Sequence, residues 1–100
     1  MKQLSVFVEN KDGKLAEVVD SLSRKGINLY ALSIADTSDF GVLRLIVDDV
    51  TKAAEVLRSG GYVVKVNDVL AIHMEDKPGG LASLLNIIRE AQVGIEYMYA

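Results

Sequence analysis

The sequence predicts an α+β fold: a β-α-β-β-α-β sandwich over residues 1–67, followed over residues 68–100 by a β-α-β half of a second such unit. Three observations predict it. Apolar residues alternate in four short runs, as in half-buried strands. Two intervening runs carry an apolar stripe at i, i+3, i+4 and i+7, the spacing of one helix face. Residues 4–34 then recur in register on residues 70–100.

The first strand is the run Gln3 to Glu9, with Leu4, Val6 and Val8 on one side of the pleat. Asn10-Lys11-Asp12-Gly13 breaks it, and a helix follows with Leu15, Val18, Val19 and Leu22 as its stripe. Asp12 is a candidate cap for its start, and Gly26 suits a left-handed exit. Ile27 to Ile34 is the second strand and Phe40 to Val47 the third, joined by the polar turn Asp36-Thr37-Ser38-Asp39 into an antiparallel hairpin. Asp48-Asp49 stops that strand and offers a cap to the next helix, whose stripe is Val50, Ala53, Ala54 and Leu57. Gly60-Gly61 ends it, and Tyr62 to Val66 is the fourth strand. Two β-α-β units of this length pack as a four-stranded antiparallel sheet with both helices on one face, the ferredoxin-like arrangement.

The repeat keeps both the core pattern and the loop glycine. Leu4, Val6 and Val8 fall on Leu70, Ile72 and Met74; Glu9, Lys11 and Gly13 on Glu75, Lys77 and Gly79; Leu15 and Ala16 on Leu81 and Ala82. The stripe returns as Leu81, Leu84, Leu85 and Ile88, with no partner helix in its own half. Such a half-unit leaves a helix underside and strand edges uncovered, which is a signal for association. Two chains that each donate residues 70–100 can build one composite unit about a two-fold axis, so a homodimer through this segment is expected.

In this order and spacing, Leu4-x-Val6-x-Val8, Gly13-x-Leu15 and Gly26-Ile27-Asn28-Leu29 are similar to the opening of ACT domains. So is Leu70-x-Ile72-x-Met74 with Pro78-Gly79-x-Leu81. The chain as a whole resembles small tandem ACT proteins. The resemblance implies a regulatory module that binds a small effector, usually an amino acid, at the interface between neighbouring units; the expected sensor acts on itself or on a partner enzyme of amino-acid metabolism. It places ligand contacts in the loop after the first strand, the start of the first helix and the start of the second strand. Here those positions are Asn10, Asp12, Gly13, Lys14, Leu15 and Asn28, and in the repeat Asp76, Gly79, Gly80 and Leu81. Two positions depart from the family's pattern: Asp12 stands where Pro is common, and Gly94 stands where Asn28 would recur.

The residue types suit that ligand independently of the family. A glycine lets a ligand approach the backbone closely, and the helix beginning there presents unpaired N–H groups and the positive end of its dipole to a carboxylate. Asn10 and Asn28 offer donors and acceptors, and Asp12 or Asp76 can hold an ammonium. Structural roles remain open beside these: Gly13 and Gly79 as turn formers, Asn28 as a strand-end partner, Asp12 as a helix cap.

Half of the 100 residues are hydrophobic and a quarter charged, the balance of a folded globule. A net charge of −3, with no three basic residues contiguous, argues against nucleic-acid binding. No cysteine is present, so disulfides and thiolate sites are excluded. His73, the single histidine, has no carboxylate or hydroxyl placed to work with it. Asp48-Asp49 and Glu75-Asp76 point alternately to opposite strand faces and form no acid–base or metal pair. No catalytic residue, metal site or cofactor is expected. Met1-Lys2-Gln3 runs straight into a strand pattern with no apolar leader, and no apolar run reaches the ~20 residues of a membrane span, so the expected setting is cytoplasmic. The competing functional reading is a ligand-independent interaction or oligomerisation module.

Overall fold

The structure, a computed structural model, describes residues 1–9, 13–36 and 40–99, with Asp36 described by its backbone alone. The chain divides into two compact units, Met1–Val69 and Leu70–Ala100.

Unit 1 runs β1 (Lys2–Glu9), α1 (Lys14–Arg24), β2 (Leu29–Asp36), β3 (Phe40–Val47), α2 (Val50–Ser59) and β4 (Val63–Asp68). The strands form one sheet in the order β2-β3-β1-β4, every neighbouring pair antiparallel. This is the ferredoxin-like β-α-β-β-α-β order. The alternation read from sequence decides which face is covered: Leu4, Val6, Val8, Leu43, Leu45, Val47 and Val64 are buried with Val18 and Leu22 of α1 and Ala53, Ala54 and Leu57 of α2. Burial of that apolar face is what holds the layers together. On the other face the buried Gln3 and Ser5 are satisfied in a short chain: Gln3 Nε2 donates to Ser5 Oγ at 3.4 Å, and Ser5 Oγ donates to Asn67 Oδ1 at 2.9 Å.

The helix ends explain where the strands begin. At the end of α1, Gly26 N–H donates to Ser23 O at 3.0 Å and Ile27 N–H to Leu22 O at 3.1 Å, with Gly26 left-handed at φ 71°. This is a Schellman closure, in which the buried Ile27 packs in the same core as Leu22. With its N–H committed to the helix, Ile27 cannot join the sheet, so β2 starts at Leu29 rather than at Ile27. The end of α2 repeats the device: Gly61 N–H bonds Arg58 O and Tyr62 N–H bonds Leu57 O, so β4 starts at Val63 and not at Tyr62. At its other end β4 extends past Val66 because Asn67 and Asp68 continue the antiparallel ladder opposite Gln3 and Lys2 of β1, where Asp68 Oδ1 also lies 2.7 Å from Lys2 Nζ. The start of α2 is capped by Asp49, whose Oδ1 accepts from Lys52 N–H at 3.1 Å. The cap position of α1 is Gly13, which provides no side-chain bond. Asp12, expected there, and the turn Thr37-Ser38-Asp39 lie outside the described residues.

Unit 2 contains α3 (Gly80–Glu90). Its stripe is only half-buried at Leu84, Leu85 and Ile88, Leu81 is exposed, and no residue of the helix is fully buried. The strands expected on either side of α3 form no sheet among the described residues. Unit 1 shows the physical reason. The two strands of its first β-α-β, β1 and β2, are not neighbours, because β3 lies between them. A β-α-β repeat by itself therefore lacks the strand that would bond both of its own.

Candidate functional site

Both glycine-led turns adopt the same backbone. Gly13 has φ 82° and ψ −5°, Gly79 has φ 86° and ψ −11°, a left-handed conformation that side chains resist. Each carbonyl accepts the first bond of its helix, from Glu17 N–H and Ser83 N–H respectively, both at 2.9 Å. The register of the repeat thus holds down to individual hydrogen bonds.

The turns differ at the next residue. A Cβ on Gly13 or on its counterpart Gly79 would meet nothing within 4 Å among the described residues; where the first turn continues with Lys14, a Cβ on Gly80 would lie 2.6 Å from the Glu75 carbonyl oxygen. The second loop folds back on itself: Lys77 N–H donates to Glu75 O, Gly80 N–H donates to Lys77 O, and Lys77 Nζ pairs with Glu75 Oε2 at 2.5 Å. Close approach of the chain's own backbone accounts for Gly80. The space on that side is filled by protein.

At the first turn the matching residue is Lys14, and it begins a chain of polar contacts. Its Nζ lies 3.5 Å from Glu17 Oε2, while Glu17 Oε1 accepts from the Tyr62 hydroxyl at 2.5 Å. The Tyr62 hydroxyl, and after it the Lys14 ammonium, hold the Glu17 carboxyl below the usual carboxylate range. Burial, reinforced by the Glu17 hydrogen bond and charge, pushes the Tyr62 phenol up to about 12. Neither Glu17 nor Tyr62 was singled out from sequence. The Lys14–Glu17 spacing of three was visible there, but the Tyr62 contact joins α1 to the entry of β4 and exists only in the folded chain.

Leu15, placed by its spacing in the core stripe of α1, is 40% exposed, whereas Val18 and Leu22 of the same stripe are fully buried. It therefore stands beside Lys14 at the open start of α1. Asn28 is committed through its backbone: its N–H donates to Asp48 Oδ1 and its carbonyl accepts from Asp48 N–H, both at 3.1 Å. Asn28 and the Gly13 turn are not brought together within the unit. Glu9, before the turn, pairs with Phe40, and Leu29, after Asn28, pairs with Val47. From Phe40 to Val47 is seven residues of β3, or about 23 Å at the usual strand rise. In the second unit Asp76, Gly79 and Leu81 are exposed, as is Gly94 at the position matching Asn28. Asn10 and Asp12 lie outside the described residues.

Strand β2 is an edge of the sheet, and Tyr30, Leu32 and Ile34 along it are 65%, 47% and 49% exposed. An eight-residue edge with apolar side chains invites another strand. Among the described residues, no group of three or more His, Cys, Asp or Glu could hold a metal ion, and no helix is long and apolar enough to cross a membrane.

A four-stranded antiparallel sheet covered on one face by two helices defines a ferredoxin-like α+β module, here with a second copy of its opening turn. The chain belongs to the ACT domain pair family, whose model matches residues 1–100. It is similar to the acetolactate synthase small subunit of Buchnera aphidicola, at 28% identity over 75 residues, which are 74% of this chain and 47% of that protein. The chain thus spans about half the length of the curated relative it matches. Among solved structures, a protein from Bacteroides thetaiotaomicron is 47% identical with a TM-score of 0.93, over 98% of this chain and 68% of that one. The regulatory subunit of aspartate kinase from Thermus thermophilus shares the fold at 14% identity, with a TM-score of 0.76 over 99% of this chain and 75% of that one.

Proposed function

We propose that the chain is a non-catalytic regulatory module that binds an amino acid at the Gly13 turn. The observation that carries this is the open, glycine-led start of α1. A Cβ on Gly13 would meet nothing within 4 Å among the described residues, no side chain caps the helix there, and its first N–H groups and the positive end of its dipole suit a carboxylate. Asn10, Asp12, Lys14 and Leu15 surround that start in sequence. Asn28 joins it from a neighbouring unit: two units aligned antiparallel through their β2 edges set the beginning of one β2 beside the end of the other, which brings Asn28 to the end of the partner's sheet that carries the Gly13 turn. The apolar edge Tyr30, Leu32 and Ile34 supports that alignment. In the second unit Asp76, Gly79, Gly80 and Leu81 would form the corresponding site, narrower because the Glu75 carbonyl already occupies one side of Gly80.

Residues 1–67 act as a complete domain and residues 68–100 as half of another. The stripe of α3, half-buried at Leu84, Leu85 and Ile88, favours completion by residues 70–100 of a second copy, in a cytoplasmic homodimer. A small subunit of acetolactate synthase and a regulatory subunit of aspartate kinase among the similar proteins support an enzyme of amino-acid metabolism as the partner.

Thermal denaturation with each standard amino acid tests the reading. A ligand at a hundred times its dissociation constant adds about 2.7 kcal/mol of stability. Ile34→Lys, at the exposed edge, is expected to abolish that gain while unit 1 stays folded. A dimer by light scattering that no amino acid stabilises would favour the ligand-independent interaction module, and a monomer at micromolar concentration would refute the homodimer.

A further inference from the structure

We infer that Glu17 is a built-in competitor for the ligand's carboxylate at the Gly13 turn, and that Tyr62 sets the strength of the competition. This rests on the reading of that turn as the effector site. Lys14 occupies the first position of α1, where the positive end of the helix dipole disfavours a cation and favours an anion. Among the described residues it pairs with Glu17, one turn on, and the contact is loose at 3.5 Å. The carboxylate is divided between two donors: Oε2 faces Lys14, while Oε1 takes the Tyr62 hydroxyl at 2.5 Å. Tyr62 arrives from a separate element and is fixed by the Schellman closure of α2, through its own N–H to Leu57 O. It therefore holds Glu17 from outside α1.

An arriving carboxylate must draw Lys14 away from Glu17. The more firmly Tyr62 satisfies Glu17, the less Glu17 contends for the ammonium. The second turn has no such device, since Gly80 and Ser83 stand at the positions matching Lys14 and Glu17.

Glu17 and Tyr62 are thus positioning residues, and removing them has opposite effects. Glu17→Gln releases Lys14 and tightens binding of whichever amino acid stabilises the chain; Tyr62→Phe frees Glu17 to hold Lys14 and weakens it. Each change is about two- to fivefold, the range of an exposed ion pair. The double variant binds like Glu17→Gln, because Tyr62 acts only through Glu17. A purely structural contact would weaken binding in both single variants, and that result overturns the inference while leaving the effector site standing. If no amino acid stabilises the chain, the proposed function falls and the relay is read without ligand, by nuclear magnetic resonance titration of the Glu17 carboxyl. Lys14→Met and Tyr62→Phe are each expected to raise its midpoint. A midpoint unmoved by both shows that the three groups are uncoupled and overturns the relay.

Discussion

Leu22 and Leu15 lie on one predicted stripe of α1, yet truncating each to alanine should do very different things. Leu22 is fully buried, shares the core with Val18, Ile27 and Leu57, and supplies the carbonyl that closes the helix on Ile27. Leu22→Ala removes three carbons, worth about 2.4 kcal/mol at ~0.8 per methylene, and the residual cavity raises the loss to about 3 kcal/mol. For a unit of 69 residues, at roughly 0.05–0.15 kcal/mol per residue, the whole stability is about 3–10 kcal/mol. The midpoint of thermal unfolding should therefore fall by about 12–24 °C. Leu15 is 40% exposed and has no enclosed site to leave empty. Leu15→Ala should cost about 1 kcal/mol and instead lower affinity for the amino acid, which Leu22→Ala leaves unchanged in the folded fraction. Urea melts followed by circular dichroism measure the first quantity and calorimetric titration the second. Equal losses of stability in the two variants would refute the burial assignment, and an unaltered affinity in Leu15→Ala would remove that residue from the site.

The pair Glu17 and Tyr62 makes stability depend on pH at both extremes. Glu17 has a lowered folded pKa, so its contribution is present above its ordinary value of 4.5 and is lost as pH falls through the folded value. Asp68, lowered by its bond to Lys2, acts in the same direction. Tyr62 has a raised pKa, so its contribution is complete below its ordinary value of 10.0 and is lost as pH rises through about 12. Melting curves against pH should show an alkaline loss that Tyr62→Phe abolishes; persistence of that loss would assign it to another group. Asp49→Ala removes the cap of α2 and should lower the stability of unit 1 by about 1 kcal/mol in thermal melts. Gln92 takes a left-handed conformation at φ 58° in the position that Gly26 fills in unit 1. Gln92→Gly should relieve roughly 1 kcal/mol of strain, seen as slower hydrogen exchange in the last turn of α3, and faster exchange would contradict it.

The sequence by itself determined the order of elements in unit 1, the covered face of its sheet, the cap at Asp49 and the duplicated turn. These are local properties: strand alternation, helical spacing and the left-handed tolerance of glycine act over a few residues and are written into them. The end of α1 at Gly26 was legible for that reason, and so was the recurrence of Gly13 as Gly79. What tertiary structure decided depends on residues far apart in the chain. The Schellman bonds of Ile27 and Tyr62 withdrew both from strands that their apolar character had suggested. Leu15 left the core because the sheet beneath α1 covers Val18 and Leu22 fully and Leu15 only in part. The insertion of β3 between β1 and β2 shows why a β-α-β repeat builds no sheet by itself: its two strands are not neighbours in this topology. Pairing through β3 set Asn28 and the Gly13 turn at opposite ends of the sheet within one unit, so only a neighbouring unit could bring the two into one site. The contact of Tyr62 with Glu17, across 45 residues, had no local signal at all, because only the closed sandwich brings the entry of β4 against α1.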